Sequence, residues 1–327
     1  MRKRYIPETR IRCPMGAFDG AKVAVSTCMG VRKGERVMIL VDPSRESVGS
    51  ALFEAALEAG AEPVVVKIPP QTHDNQELPV SLARLMREMD VVFAATERTI
   101  SHTIARRAAN REGARVASMP GITEEMLREG GMTADFREIH KEAKRLAKRF
   151  KSARTMRLAS PAGTDLTLQI KGRQWFSEDT GICHRRGEFT NLPAGEVFVS
   201  PVEGTAEGVV VIDASFRGLV SEPIEIEITG GFAVKIKGAT EAVRELNKGG
   251  KEARNVAKIG IGLNPKARII GKELEDAKVL GAVVLGLGDS LRFGGKLKAP
   301  VYVEAVSTGV TLALDNQVVV KAGKLVV

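Results

Sequence analysis

Histidine, cysteine and aromatic residues are all scarce in this chain of 327 residues. Its three cysteines show no C-x-x-C spacing, which excludes a zinc knuckle and a disulfide framework and leaves free, partly buried thiols. Aromatic residues make up 4%, and no basic stretch alternates with stacking rings, so we do not expect nucleic-acid binding despite a formal net charge of +9. Of the four histidines, only His184 lies beyond residue 150.

Long apolar runs are also missing. No run approaches the roughly 20 residues of a membrane helix, and the first seven residues lack the apolar core of a signal peptide. We therefore expect a cytoplasmic protein with no membrane partner. Its basic surface is compatible with an acidic small molecule or an acidic partner protein. No G-x-G-x-x-G or Walker lysine loop supports a nucleotide role.

The first half of the chain alternates short apolar runs with amphipathic segments. Runs at 36–41, 63–68, 90–95 and 115–118 have the length of strands, and helical patterns lie between them. Continuous apolar strands separated by helices are typical of a parallel sheet covered on both faces. Residues 1–150 are therefore predicted to form a doubly wound α/β domain with a mostly parallel sheet, which ends in a long basic helix at 134–154.

The second half changes to strands separated by turns. Patterns of strand type occur at 156–158, 166–170, 196–199, 208–212, 224–228, 232–236, 279–287, 301–307, 310–314 and 318–320. One helical pattern interrupts them, at 240–256. Residues 151–327 are therefore predicted to form a β-rich α+β domain.

The stretch 187–201 is the passage that ordinary folding patterns explain least. Glycine and proline interrupt it at short intervals, and Asn191 favours a turn. Glu196 is acidic in an otherwise apolar segment and stands where a strand begins, a position that often directs a side chain into a cleft. A solvated glutamate on a surface hairpin is the alternative interpretation.

Several short motifs resemble one family in their order along the chain. Asn191 to Phe198, N-L-P-A-G-E-V-F, resembles the signature of the thermophilic metallo-aminopeptidases of the aminopeptidase T type and of the related 2,5-dihydroxypyridine dioxygenase-like proteins. G-T-D-L at 163–166 and E-D-T-G at 178–181 agree upstream. G-I-G-L-N-P at 260–265, L-G-L-G at 285–288 and F-G-G at 293–295 agree downstream. The resemblance implies a cleft between two domains, and it suggests a homodimer.

The resemblance also implies where metal ligands would lie, and most of those positions have changed. Glu196 matches a ligand glutamate. Lys258 stands where the family has a second glutamate, Val284 where it has a histidine, and Leu291 where it has a tyrosine. The closing His-x-Asp motif reads Tyr302-Val303-Glu304.

Glu196 and Glu304 are thus the retained positions of ligand type, whereas a divalent metal site needs about three or four protein ligands. We therefore predict no cofactor, and a zinc, cobalt, manganese or iron ion would bind only weakly.

Lys258 leads to a geometric prediction. An ammonium group at a lost metal position would neutralise Glu196 and Glu304, since an unpaired buried carboxylate is costly. We expect its nitrogen within about 4 Å of one of them, in a cleft. A lysine that points into solvent is the alternative.

Three functions remain open on the sequence. The first is a divergent aminopeptidase-like hydrolase that acts without metal on a small anionic or peptide-like ligand, through Glu196, Lys258, Tyr302 and Glu304 as acid, base and electrostatic groups. The second is a non-catalytic binding or scaffold protein on the same fold. The third is a ring-cleaving enzyme like the 2,5-dihydroxypyridine dioxygenases.

Overall fold

A computed structural model describes residues 18–238 and 241–327 of the chain. Up to residue 150 it alternates helices and strands, as the sequence predicts, with an additional π-helical segment at Val23–Cys28. The elements are α1 Phe18–Lys22, β1 Arg36–Val41, α2 Glu46–Glu58, β2 Glu62–Lys67, α3 Val80–Glu88, β3 Val91–Ala95, α4 Ile104–Glu112, β4 Arg115–Ser118, α5 Glu124–Arg128 and α6 Phe136–Phe150.

Beyond residue 150 strands dominate. The elements are β5 Thr155–Ala159, β6 Asp165–Gln169, β7 Trp175–Phe176, β8 Phe189–Asn191, β9 Glu196–Val199, β10 Glu207–Ile212, β11 Ser215–Phe216, β12 Ile224–Thr229, β13 Phe232–Lys237, α7 Glu241–Lys248, β14 Val256–Gly262, α8 Glu273–Asp276, β15 Val283–Gly288, β16 Tyr302–Ser307, β17 Thr311–Leu314, β18 Gln317–Lys321 and β19 Lys324–Leu325. The predicted fold class is confirmed: an α/β part with a parallel sheet precedes a β-rich part.

The parallel sheet has five strands in the order β2-β1-β3-β4-β8. Residues 37–41 and 91–95 are fully buried, and their alternate side chains enter two different apolar clusters, one on each face of the sheet. Burial on both faces explains why these strands read as continuous apolar runs. The fifth strand, β8, comes from beyond residue 150 and pairs with β4. The division at residue 150 stays a prediction, and a fragment that ended there would lack β8.

Two antiparallel sheets form the second half. One has eight strands in the order β13-β12-β10-β6-β5-β17-β18-β19, and the other has six in the order β11-β16-β15-β14-β9-β7. The six-stranded sheet contains three motifs of the resemblance, in β9, β14 and β15. The long basic helix α6 buries Phe136, Ile139 and Leu146 and leaves its charged face exposed.

The prediction of one helix over 240–256 was wrong in length. Helix α7 ends at Lys248, and Gly249 and Gly250 follow it before a short 3₁₀ turn at Glu252–Arg254. Gly250 has φ +74°, a left-handed conformation that stops an α-helix and that glycine adopts without strain.

Two further sequence expectations concern thiols and membranes. Cys28 and Cys183 are free, as expected, but both are fully buried rather than partly buried, and Cys13 lies outside the described residues. None of the helices within residues 18–238 and 241–327 combines the length and the apolar character that a membrane crossing requires.

Candidate functional site

A cleft of about 550 Å³ lies between the parallel sheet and the six-stranded sheet. On the first side it is lined by residues that follow β3, including Arg98 and His102, and by Pro120 and Gly121, which follow β4. These positions are at the carboxyl ends of parallel strands, where ligands bind in open α/β sheets. All four residues proposed from the sequence, Glu196, Lys258, Tyr302 and Glu304, line the same cleft.

Lys258 binds two carboxylates at once. Its Nζ lies 2.6 Å from Glu196 Oε1 and 2.5 Å from Glu304 Oε1, and the residue is only 2% exposed. The geometric prediction of a distance within about 4 Å, in a cleft, is therefore confirmed. Glu196 is also buried, at 1% exposure, so the solvated hairpin glutamate is excluded.

The strand register explains how these side chains meet. Lys258 pairs with Gly286 on β15, and Gly286 pairs with Glu304 on β16, so the three positions form one row across neighbouring strands. Side chains at paired positions share a face of the sheet. Because Gly286 has no side chain, Lys258 reaches across β15 to Glu304.

Two glycines provide the space for this arrangement. A Cβ atom at Gly260 would lie 1.9 Å from Glu196 Oε1, and one at Gly286 would lie 2.7 Å from the Tyr302 hydroxyl and 3.0 Å from Lys258 Cβ. Any side chain at either position would displace a charged or polar group of the site.

A second lysine, Lys278, was missed by sequence reasoning. Its Nζ lies 2.6 Å from Asp179 Oδ2 and 2.7 Å from Glu196 Oε2, and the residue is 4% exposed. A signal was present, because Lys278 is the last charged residue before a long apolar run and Asp179 belongs to the E-D-T-G motif. We call the five residues Asp179, Glu196, Lys258, Lys278 and Glu304 the floor cluster. It contains three carboxylates and two ammonium groups.

Opposite charges hold Glu304 and Lys258 of the floor cluster in their ionised forms, whereas burial raises the pKa of Glu196 despite its two lysine neighbours. Burial acts to raise the pKa of Glu304, but Lys258 and Lys278 outweigh it and lower that pKa to about 2. Burial acts to lower the pKa of Lys258, but Glu196 and Glu304 hold that pKa above its ordinary value. Burial, reinforced by Glu304, raises the pKa of Tyr302 well above its usual range, so the phenol keeps its proton at neutral pH.

Tyr302 joins the cluster to a row of aromatic rings. Its hydroxyl donates a hydrogen bond of 2.6 Å to Glu304 Oε1, and its ring centroid lies 4.8 Å from that of Phe293. Phe198 packs edge-on against Phe293 at 5.5 Å and stacks on Phe176 at 5.2 Å. Lys258 Nζ lies 4.9 Å from the ring centroid of Phe198, a cation–π contact.

The residues present do not fit the metal site that the resemblance implies. Val284 is fully buried in a small apolar cluster with Val306, and Leu291 is 49% exposed. Both oxygens of Glu196 and one of Glu304 contact ammonium groups, so a divalent ion would have to displace lysine nitrogens. Within the described residues, no group of three or more His, Cys, Asp or Glu is placed to hold a metal ion.

Comparison with known proteins identifies relatives of the whole fold. A solved structure of the 2,5-dihydroxypyridine dioxygenase from Pseudomonas putida KT2440 has a TM-score of 0.75 at 22% identity, and the match covers 94% of this chain and 96% of the other. Wild-type AmpT from Thermus thermophilus has a TM-score of 0.66 at 17% identity, with 95% and 99% covered. At these identities the structural similarities show the fold alone. The similarity to AmpT therefore supports an aminopeptidase-like fold and does not support aminopeptidase activity.

Sequence comparison favours the dioxygenase side of the resemblance. The curated 2,5-dihydroxypyridine 5,6-dioxygenase of Pseudomonas putida is 29% identical over 194 residues, 54% of this chain and 55% of that protein. The chain thus spans about half the length of the curated relative that it matches. A family model described as NicX, 2,5-dihydroxypyridine 5,6-dioxygenase, matches residues 21–327. The chain therefore belongs to the 2,5-dihydroxypyridine 5,6-dioxygenase family.

Proposed function

We propose that this protein binds a small hydroxylated aromatic molecule, of the class that includes 2,5-dihydroxypyridine, and that it does so without a metal ion in the floor cluster. The observation that carries the proposal is the position of Lys258. Its ammonium nitrogen lies 2.6 Å from Glu196 and 2.5 Å from Glu304, the two carboxylates at positions where the resemblance implies metal ligands.

The walls of the cleft support an aromatic ligand. Phe198, Phe293 and Tyr302 line it and offer ring faces and edges for stacking. A volume of about 550 Å³ is within the range of small-molecule sites and leaves room for a single ring with its substituents. The names of the family and of its curated relative point to the same ligand class, a hydroxylated pyridine ring.

The polar groups beside the rings suit a ring hydroxyl. The Tyr302 phenol can donate or accept a hydrogen bond, Lys258 supplies a fixed positive charge, and Glu304 accepts. In this arrangement Glu196 holds Lys258 in place, and the other three contact the ligand. Proton transfer to and from ring oxygens is the chemistry that such groups perform.

The test is a calorimetric titration of the purified protein with 2,5-dihydroxypyridine in the presence of a chelator. We expect saturable binding that is unchanged when Fe²⁺ or Zn²⁺ replaces the chelator. Tyr302→Phe should weaken binding by about fivefold to tenfold, because it removes one buried hydrogen bond at the ligand. Thr167→Val is the control, because it also removes one hydroxyl group, from an exposed residue of β6 that does not line the cleft.

Two results would contradict the proposal: binding that requires a metal ion, or affinity that Tyr302→Phe leaves unchanged. Lys258→Glu tests the metal claim separately. It would place a third carboxylate beside Glu196 and Glu304, and we expect this variant to retain Zn²⁺ or Mn²⁺ after dialysis where the wild type does not.

A further inference from the structure

We infer that Arg98 and Arg292 form an anion subsite beside the aromatic wall of the cleft, and that the ligand carries a carboxylate directly on its aromatic ring. This inference rests on the proposed function and narrows its ligand class. Arg98 follows β3 in the first half of the chain, and Arg292 belongs to a 3₁₀ turn, Leu291–Phe293, in the second half. Both line the same cleft.

Most charged side chains of the cleft are already paired within the protein. The carboxylates of the floor cluster contact Lys258 and Lys278. Arg217 pairs with Glu245 at 2.9 Å and approaches two further carboxylates, and Glu97 pairs with Arg45 and Lys272.

Arg98 and Arg292 differ from these charges. Within residues 18–238 and 241–327, neither guanidinium group makes an ion pair or a hydrogen bond. A planar guanidinium group with free donors is suited to bidentate binding of a carboxylate. The cleft therefore has unpaired positive charge at its rim, whereas both lysines of the floor cluster are paired with carboxylates.

The pKa of His102 reflects the positive charge at this rim of the cleft. Burial lowers its pKa, and Arg292, Arg106 and Arg107 lower it further, to about 4, although Asp289 opposes them. The imidazole is therefore neutral at neutral pH and offers one donor and one acceptor instead of a charge. A ligand anion that contacted Arg292 would enter this field.

Arg292 is also next to the aromatic wall of the cleft along the chain. Its neighbour in the chain is Phe293, whose ring centroid lies 4.8 Å from that of Tyr302. A ligand ring packed on Phe293 would lie beside the turn that carries Arg292. We therefore expect a carboxylate attached to the ring itself rather than an anion on a long chain.

The experiment compares two ligands of the same shape, 5-hydroxypyridine-2-carboxylate and 5-hydroxypyridine-2-carboxamide, by calorimetry at pH 7.5. The wild type should bind the carboxylate about tenfold more tightly than the amide, as a charge-assisted hydrogen-bond pair would give. Arg292→Gln and Arg98→Gln should each reduce that ratio to about threefold or less. Arg107→Gln is the matched control, since Arg107 is exposed, lies near His102 and does not line the cleft.

The outcomes separate the two proposals. Equal binding of carboxylate and amide by the wild type, or a ratio that survives both Gln substitutions, would overturn the anion subsite and leave the proposed function standing. If the wild type binds neither of these ligands nor 2,5-dihydroxypyridine, the proposed function fails and the subsite fails with it. A preference that Arg107→Gln abolishes equally would show a general charge effect and would also overturn the subsite.

Discussion

Two acidic groups in the second half of this protein, Glu304 and Glu275, are both largely shielded from water but have different partners. In the floor cluster, Glu304 contacts the ammonium group of Lys258 at 2.5 Å, and its pKa falls to about 2. Among the residues that the structure describes, the hydrogen-bond donors to Glu275 in α8 are two backbone amides, Gly131 N at 2.7 Å and Arg268 N at 3.2 Å. There burial outweighs the amides and raises the pKa of Glu275 to about 7.

The difference shows what kind of partner keeps a buried carboxylate charged. Both carboxylates are largely shielded from water, yet full cations hold Glu304 ionised, whereas amide dipoles leave Glu275 able to take up a proton near neutral pH. Removing the cation beside Glu304, or changing the pH across the titration range of Glu275, tests this comparison directly.

The largest effect should come from Lys258→Met. This change removes two ion pairs and leaves Glu196 and Glu304 without the cation between them. We expect a loss of about 3–5 kcal/mol in the free energy of unfolding, measured by urea denaturation at pH 7. Lys171→Met, at an exposed turn, is the control and should change the stability by less than about 0.5 kcal/mol.

A double variant shows whether uncompensated charge causes that loss. Lys258→Met leaves Glu196 and Glu304 without their shared cation. Adding Glu304→Gln removes one of these two negative charges, so part of the lost stability should return. If the double variant is less stable than Lys258→Met alone, packing of the lysine stem and not charge accounts for the effect.

A smaller effect should appear on acidification. The pKa of Glu304 is depressed in the folded protein, so its contribution is complete above the ordinary value of 4.5 and is lost as the pH falls towards about 2. We expect Glu304 to account for about 2–3 kcal/mol of the stability lost across this window. Urea titrations of the wild type and Glu304→Gln at pH 6, 4 and 3 measure this loss. If the free energies of unfolding of the two proteins differ by the same amount at every pH, the low pKa of Glu304 is contradicted.

The smallest effect, of opposite sign, should come from Glu275→Gln. Because the folded-state pKa of Glu275 is raised, the wild type loses stability as the pH rises from about 4.5 through about 7. Glutamine avoids that penalty but buries an amide nitrogen, so we expect a gain of about 1 kcal/mol at pH 8 and no gain at pH 4. Thermal unfolding at the two pH values measures the difference, and a stabilisation that is the same at both would exclude titration as its cause.

The parallel sheet could be predicted because its signals are local. Runs such as 36–41 and 90–95 are apolar throughout, and such runs form strands that are buried on both faces. Strand β8 could not be assigned to this sheet in the same way. It has three residues, Phe189 to Asn191, and its partner β4 lies about seventy positions earlier in the chain, so only tertiary packing brings the two together.

The site was predictable only where a motif gave the position. Glu196 and Lys258 follow from short sequence motifs, and the register between β14, β15 and β16 then brings Glu304 to Lys258. Lys278 belongs to no motif of the resemblance, and although Asp179 lies in E-D-T-G, the contact between the two depends on how separate loops fold over β9. The unpaired state of Arg98 and Arg292 is likewise invisible in the sequence, since it depends on which carboxylates the other cations have already bound.

Gly260 and Gly286 lie within the motifs G-I-G-L-N-P and L-G-L-G, by which the family resemblance was recognised. Their requirement is spatial, because a Cβ atom at either would collide with Glu196 or with Tyr302 and Lys258. Glycines in such motifs indicate that the site needs free volume at these positions. They do not indicate which side chains occupy that volume. A similarity search built on them will therefore detect chains whose reactive groups have been exchanged, and a shared family name among such chains guarantees a common cavity rather than a common reaction.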